Sequence, residues 1–458
     1  MAKKTKASAR PGLPTDPTNV LILGAGGREH ALGWKLKQSK LCRKLFFAPG
    51  NGGTAALGQN VDLALEPVNT KNVDAIDYFC RQHDIGLIVI GPEDPLCHGL
   101  ADRLTPPAPA SGAKGQPPAA PARYVFGPSQ AAARLEGDKA FAKDLMRAAS
   151  IPTADAKTFT NFEMAKAYVE ARETPVVVKA AGLAKGKGAI VCSTNEQAVD
   201  ALERCLVKRE FGDEGNTVLV EERLVGQEVS ILALVDGRNL FLLDPSQDHK
   251  QAHEGDTGPN TGGMGVYCPT PLVTEEQLTV IQREVLVPAV DALKRDGIDF
   301  RGVLYAGLML TAGGPKTLEF NTRFGDPETQ PLMMRLKGDL MEAMLAVCTG
   351  QLDQADLRWD PRVCCCVVMA SGGYPGKYEK GKPITGIDDA ESDPDVKVFH
   401  AGTKLTRDGT LVTDGGRVLA VCALADTLKE AQTKANAACD KIKFEGAQFR
   451  RDIGFRVM

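Results

Sequence analysis

Short apolar runs alternate with helix-period segments over the first quarter of the chain. Residues 19–23, 44–48 and 85–90 read as buried strands, and residues 29–39 and 73–83 as helices between them. Apolar strands alternating with helices predict a doubly wound parallel sheet. Ligand loops of such a sheet lie at strand C-ends, here at 24–28, 49–54 and 91–96. Residues 105–122 break the pattern. They are Pro, Ala and Gly with almost no apolar bulk, so a disordered surface insert is expected before a strand at 124–126.

Further along, the period changes. Strands are expected at 174–179, 189–193 and 217–221, and helices at 195–208 and 274–296. Two hairpins follow from turn chemistry, one over 227–244 turning at Asp236-Gly237, the other over 301–322 turning at Gly313-Gly314. Mostly antiparallel strands with covering helices make this region α+β. A third unit begins near residue 356, with strands at 363–370, 396–400 and 417–423, a helix at 428–442 and a strand-like tail. The division expected is a flexible basic tail 1–18, a Rossmann-like unit 19–127, a two-lobed unit 128–355 with a flap lobe at about 155–225, and a C-terminal α+β unit 356–458.

A chain of 458 residues exceeds one ordinary core, in agreement with several domains. A formal net charge of −3 argues against a dedicated nucleic-acid binder, and no apolar run reaches the length of a membrane span. The 12 cysteines contain no C-x-x-C pair, so neither a zinc site nor a redox motif is indicated. Cys364, Cys365 and Cys366 sit in an apolar run and read as buried free thiols of a reducing compartment. The basic N-terminus lacks an apolar signal core.

Candidate chemistry concentrates in polar islands. In 318–328, Glu319 and Asn321 are two apart, so on a strand they share a face. A carboxylate and an amide oxygen suit Mg²⁺ or Mn²⁺ with phosphates completing the shell. Arg323 continues that face as a fork for phosphate or carboxylate. Residues 178–188 join Lys179, Gly186, Lys187 and Gly188 in a glycine-rich flap between two strands, with spacing that is not a Walker loop. Glu221, Glu222 and Leu224 end a strand, with Glu228 beyond, where backbone can meet an adenine edge and a carboxylate a ribose. Asp248 and Lys250 lead into a Gly-rich loop, 255–265, suited to an anion. The first strand ends in Gly24-Ala25-Gly26-Gly27, which lacks the third glycine of a dinucleotide fingerprint. His30, His83 and His98 read as packing or surface residues.

In this order, the flap, the Glu-Glu strand end and Glu319-x-Asn321 resemble the ATP-grasp fold. Within it, the segments LILGAGGREHAL, APGNGGT, GPEDPL, VVVKAAGLAKGKGA, QDHKQAHEGDTGPNTGGMG and LEFNTRFGDPETQ resemble the glycinamide ribonucleotide synthetases, or phosphoribosylamine–glycine ligases, from about residue 20 to the C-terminus. The resemblance implies a ligase of purine biosynthesis that takes ATP, glycine and 5-phosphoribosylamine, uses Mg²⁺ or Mn²⁺, and passes through glycyl phosphate. It implies metal ligands Glu319 and Asn321, and Arg323, Lys187 and Asp248 as catalytic groups. ATP would meet Lys139, Lys179, Gly186, Lys187, Gly188, Glu221, Glu222, Leu224 and Glu228. The other substrates would meet Gly26, Gly27, Arg28, Glu29, Pro49, Gly50, Asn51, Gly53, Thr54 and Glu93, then Asp248, Lys250, Asn260, Gly263, Met264, Gly265, Arg323 and Asp326. Two departures stand out. Ala181 replaces the usual flap Asp, and Tyr305 occupies the register where many ATP-grasp enzymes carry a third metal ligand, so phosphates and water should complete the shell. Neither nucleic acid nor membrane is an expected partner, and transient contact with neighbouring purine-pathway enzymes is. The expected compartment is the cytoplasm, with a plastid or other organelle left open by the basic tail.

Overall fold

A computed structural model describes residues 13–106, 123–184 and 188–458. The expectations for most of the tail, for the insert at 107–122, and for Lys185, Gly186 and Lys187 lie outside the described residues.

Thr18–Gly24, Cys42–Pro49, Gln59–Asn60, Ile85–Ile90 and Tyr124–Phe126 form an all-parallel sheet. The first strand lies between the second and fourth, so the chain reverses its direction of winding there. The crevice of such a sheet opens at that reversal, between the loops that follow Gly24 and Ile90. Helix Gly27–Leu36 starts in the first of these loops.

The flap lobe is an antiparallel sheet of Ala156–Phe159, Val218–Glu222, Val176–Ala180 and Ala189–Cys192. A second antiparallel sheet runs Leu240–Leu242, Gln227–Asp236, Arg301–Thr311, Gly314–Asn321. Asp236-Gly237 is the first hairpin turn, with Gly237 at φ +86°. The second turn is one residue earlier than expected: Thr311 pairs with Gly314, leaving Ala312-Gly313 as the two-residue loop. Of the two long predicted helices, the first ends in a π-helical turn, Glu203–Val207, and the second is interrupted by one, Gln282–Leu286.

The third sheet departs most from expectation. Val363–Ala370, Arg417–Ala425 and Val396–His400 are joined by Gly265–Cys268 and Gln247–Asp248. Residues 247–268, of which 255–265 are expected as a loop, therefore supply two strands and a small hairpin, Gln251–His253 with Thr257–Asn260. The tail is no strand: it makes two isolated bridges, Thr385 to Lys443 and Ala370 to Gln448, and ends in the 3-10 turn Phe455–Val457. All 12 cysteines are free, and Cys364, Cys365 and Cys366 are fully buried.

Candidate active site

The strand Gly314–Asn321 carries the centre of the site. A register shift at Leu318 breaks the alternation, so Thr317 (0 % exposed) and Phe320 (2 %) both face the core. Glu319 and Asn321 take the other, half-buried face, as their spacing predicts. Burial alone pushes the Glu319 carboxyl up. Lys250, Lys179, Lys139 and Arg323 outweigh it and hold Glu319 below the usual carboxylate range.

Each lysine arrives from a different element. Lys179, on Val176–Ala180, donates to the Leu318 carbonyl at 3.0 Å and reaches Glu221 Oε2 at 2.9 Å. Lys139 opens helix Lys139–Ala148, behind the Asp138 N-cap, and donates to the Gly182 carbonyl at 2.7 Å. Burial, the largest influence, lowers its pKa. Lys250 meets Glu228 at 2.9 Å, and that carboxylate above all raises the ammonium well above its ordinary value. Both side chains of this pair remain about two-fifths open to water, so they line a cleft rather than a core.

Several expected contacts are already committed inside the protein. Glu221 is 3 % exposed, gripped by Lys179 and by Lys143 at 3.0 Å. It holds the lysines and cannot also hold a ribose. Glu222 ties Lys316 (2.9 Å) and the Asp155 amide (3.1 Å). Glu29 accepts from the Gly26 amide at 2.6 Å and pairs with Arg28 at 2.7 Å, a capping role. Asn51 and Thr54 are buried and bonded within their own loop, leaving backbone as what that loop offers. Met264 is fully buried, and Gly265 begins a strand, since a Cβ there would lie 2.5 Å from Ile453. Gly188 accepts from the Ala180 amide at 2.9 Å, closing the flap ladder. Leu224 stays partly exposed, Asn260 and Pro49 are exposed, and Gly263 is buried.

Arg323 is held by three acceptors: Glu136 Oε1 at 2.7 Å, Glu93 Oε2 at 3.4 Å and Asn321 Oδ1 at 3.3 Å. Arg28 stands 3.8 Å from the same Glu93 and donates to the Phe324 carbonyl at 3.0 Å. Glu136 also accepts the Thr322 amide at 2.8 Å. Asp326 takes Gln330 Nε2 at 2.9 Å and Arg417 at 3.5 Å, while Arg417 also donates to the Gly262 carbonyl at 2.5 Å. Arg417 thus links the Asp326 loop to the Gly-rich loop.

Tyr305 does stand opposite Asn321 in the ladder. Its hydroxyl donates to Glu328 Oε1 at 2.7 Å and lies 2.7 Å from Ser230 Oγ. Asp248 is nearby: burial, then Glu328, pushes its carboxyl up to about 8, against Lys250 and Arg417. Its buried Oδ1 has no hydrogen-bond partner among the described residues. The sequence reading missed Glu136, Lys143, Ser230, Glu328 and Arg417. Glu136, Lys143, Glu328 and Arg417 stand in segments that carry the family resemblance (FGPSQAAARLEGDKAFAK, LEFNTRFGDPETQ and GGRVLAV) but have no role of their own there, and Ser230 carries no local signal.

The donor set tests the metal expectation. Among the described residues no group of three or more His, Cys, Asp or Glu side chains is arranged to hold a metal ion. One carboxylate held ionised and one neighbouring amide oxygen fit a hard cation that draws its remaining ligands from phosphates and water.

Comparison with known proteins agrees with this geometry. Family models for phosphoribosylglycinamide synthetase match along the chain: the N domain at 18–136, the ATP-grasp (A) domain at 137–329 and the C domain at 364–456. A relative from Rhodopirellula baltica named phosphoribosylamine–glycine ligase is 50 % identical over 447 residues, covering 96 % of this chain and 98 % of the relative. The crystal structure of phosphoribosylamine–glycine ligase from Thermotoga maritima is 33 % identical with a TM-score of 0.78, covering 95 % of this chain and 100 % of that one. Biotin carboxylase from Campylobacter jejuni shares the fold alone, with a TM-score of 0.69 at 15 % identity over 95 % of this chain and 94 % of that one. The chain belongs to the phosphoribosylglycinamide synthetase family of ATP-grasp ligases.

Proposed function

We propose that this chain joins glycine to 5-phosphoribosylamine at the expense of ATP, giving glycinamide ribonucleotide, ADP and phosphate in purine biosynthesis. The observation that carries the reading is the convergence of Lys139, Lys179 and Lys250 on Glu319, with Asn321 beside it on one strand face. Phosphoryl transfer asks for positioning and charge neutralisation more than for a strong base, and lysines from three elements meet that need. Glu319 and Asn321 would hold the divalent cation, which when bound neutralises charge on the transferring phosphate. The glycine carboxylate attacks the γ-phosphate, forming glycyl phosphate and releasing ADP. The amine of phosphoribosylamine then attacks the acyl carbon, and phosphate leaves.

In this reading residues 128–355 serve the nucleotide and cation, and residues 19–127 serve the phosphorylated amine. Residues 356–458 brace both. Arg323, fixed by Glu136 and Glu93, faces the acyl phosphate or the glycine carboxylate. Asp248 and Lys250 serve the acceptors, and the loops at 24–28, 50–53 and 258–263 hold the ribose phosphate.

ADP formation with ATP, a divalent cation and phosphoribosylamine generated in place tests the reading, with glycine present or omitted. Release that requires both acceptors and is lost in Glu319→Ala is the expected result. Release independent of glycine would remove the substrate assignment.

A further inference from the structure

The two loops assigned to the phosphorylated amine are bonded within themselves and are also tied to the C-terminal unit. His30, on the helix after the first loop, accepts the His400 backbone N–H at Nδ1, 2.8 Å away. Asn51, in the second loop, donates from Nδ2 to the His400 carbonyl at 2.9 Å and to the Ala25 carbonyl at 2.8 Å. The Gly52 amide donates to Thr403, to its carbonyl at 3.1 Å and its hydroxyl at 3.2 Å. Gly53 lies against both imidazoles: a Cβ there would sit 2.4 Å from His30 Cε1 and 2.6 Å from His400. The rings are 5.3 Å apart, edge to face, and are 4 % and 8 % exposed. An imidazole accepts at Nδ1 only when that nitrogen is bare. Burial first, then His400 and Lys397, keeps His30 neutral by lowering its pKa well below the ordinary value. The end of strand Val396–His400 therefore grips backbone and side chains of loops more than three hundred residues earlier.

We propose that His30, Asn51 and His400 are positioning residues: the C-terminal strand sets the shape of the loops at 24–26 and 50–53, and so sets the affinity for the phosphorylated amine alone. This rests on the assignment of those loops under the proposed function. Neither imidazole touches substrate. ATP and glycine are assigned to other elements, so the joint should leave their binding unchanged.

Steady-state kinetics of the full chain, with all three substrates varied in turn, tests it. His30→Leu removes the acceptor and is expected to raise KM for phosphoribosylamine about tenfold. KM for ATP and glycine, and kcat, should stay within about twofold, well inside one hydrogen bond's worth. His30→Asn places an oxygen near Nδ1 and should recover most of the loss. Thr403→Val acts from the other side of the joint and should raise the same KM about threefold. If His30→Leu does not accumulate folded, Thr403→Val decides: a rise in that one KM supports the joint, and no rise overturns it. A parallel shift of all three KM values, a fall in kcat alone, or no recovery in His30→Asn would also overturn it. Gly26→Ala crowds the first loop itself, because its Cβ would lie 2.8 Å from Glu29 and 3.1 Å from Asp326. If Gly26→Ala raises the amine KM and His30→Leu does not, the joint falls and the loop assignment stands. If Gly26→Ala leaves that KM unchanged, the loop assignment falls and the joint with it.

Discussion

Two ionic clusters flank the strand Gly314–Asn321, and they are built on opposite plans. On the flap side Lys139, Lys143 and Lys179 surround Glu221 and Glu319, so cations exceed carboxylates. On the side of the parallel sheet Arg28 and Arg323 are enclosed by Glu29, Glu93 and Glu136, so carboxylates exceed cations. The first cluster is incomplete without an anion. The second is close to compensated, with Arg323 Nε left without a hydrogen bond among the described residues, 3.4 Å from Glu93. Excess charge thus marks where a phosphate belongs, and compensated charge marks scaffold that aims one functional group, Arg323.

The contrast makes separable predictions. Lys179→Met should lower the rate of ADP formation by about 10²–10³, the scale for losing one preorganised charge at a reacting centre, with little change in melting temperature. A normal rate would place the nucleotide elsewhere. Glu136→Ala should do the reverse. It leaves Arg323 short of its closest acceptor, and chemical denaturation should show a loss of about 3 kcal/mol. An unchanged midpoint would mean that Arg323 finds water instead. Lys143→Met keeps the shape of a nearly inaccessible side chain while removing one positive charge. KM for ATP should rise about fivefold, a modest electrostatic loss.

The smallest effect lies in pH. The Asp248 carboxyl is pushed up to about 8 by burial and Glu328, above its unfolded value of about 3.9. Between those values the folded protein binds the extra proton, so this group's contribution to stability falls as pH rises from about 4 to about 8. Melting temperatures of Asp248→Asn, relative to the parent chain, should therefore climb across that window in the absence of substrates. A flat difference would mean that Asp248 is ionised throughout.

Much of the scaffold was legible because its signals are local. Ile85–Ile90 and Val363–Ala370 are apolar runs bounded by breakers, and both strands fall where the pattern puts them. The spacing of Glu319 and Asn321 was enough to place them on one face. What local pattern cannot carry is a partner far along the chain. Glu136 is an ordinary residue of helix Gln130–Gly137 until Arg323, nearly two hundred positions later, lands on it. Gln247–Asp248 and Gly265–Cys268 are too short and too rich in polar or glycine neighbours to announce strands, and they exist because Val363–Ala370 offers an edge. Glu221 looked like a ribose ligand for the same reason: its sequence shows a charged strand end but not the two lysines that enclose it. His30 was read as a packing residue, and it is buried, though the surface it packs on is the end of a strand at residue 400.

The borrowed edge also imposes an order on synthesis. Asp248 ends the strand Gln247–Asp248 and Lys250 follows it; the sheet is completed by strands roughly a hundred residues downstream. At about 5–20 residues per second, a ribosome leaves that segment without its sheet for roughly 5–20 seconds. The parallel sheet and the flap lobe can fold as they emerge, whereas the acceptor side of the cleft has to wait for Val363–Ala370. In the proposed reading, a nascent chain can thus complete its lysine cluster before the side of the cleft assigned to the acceptors.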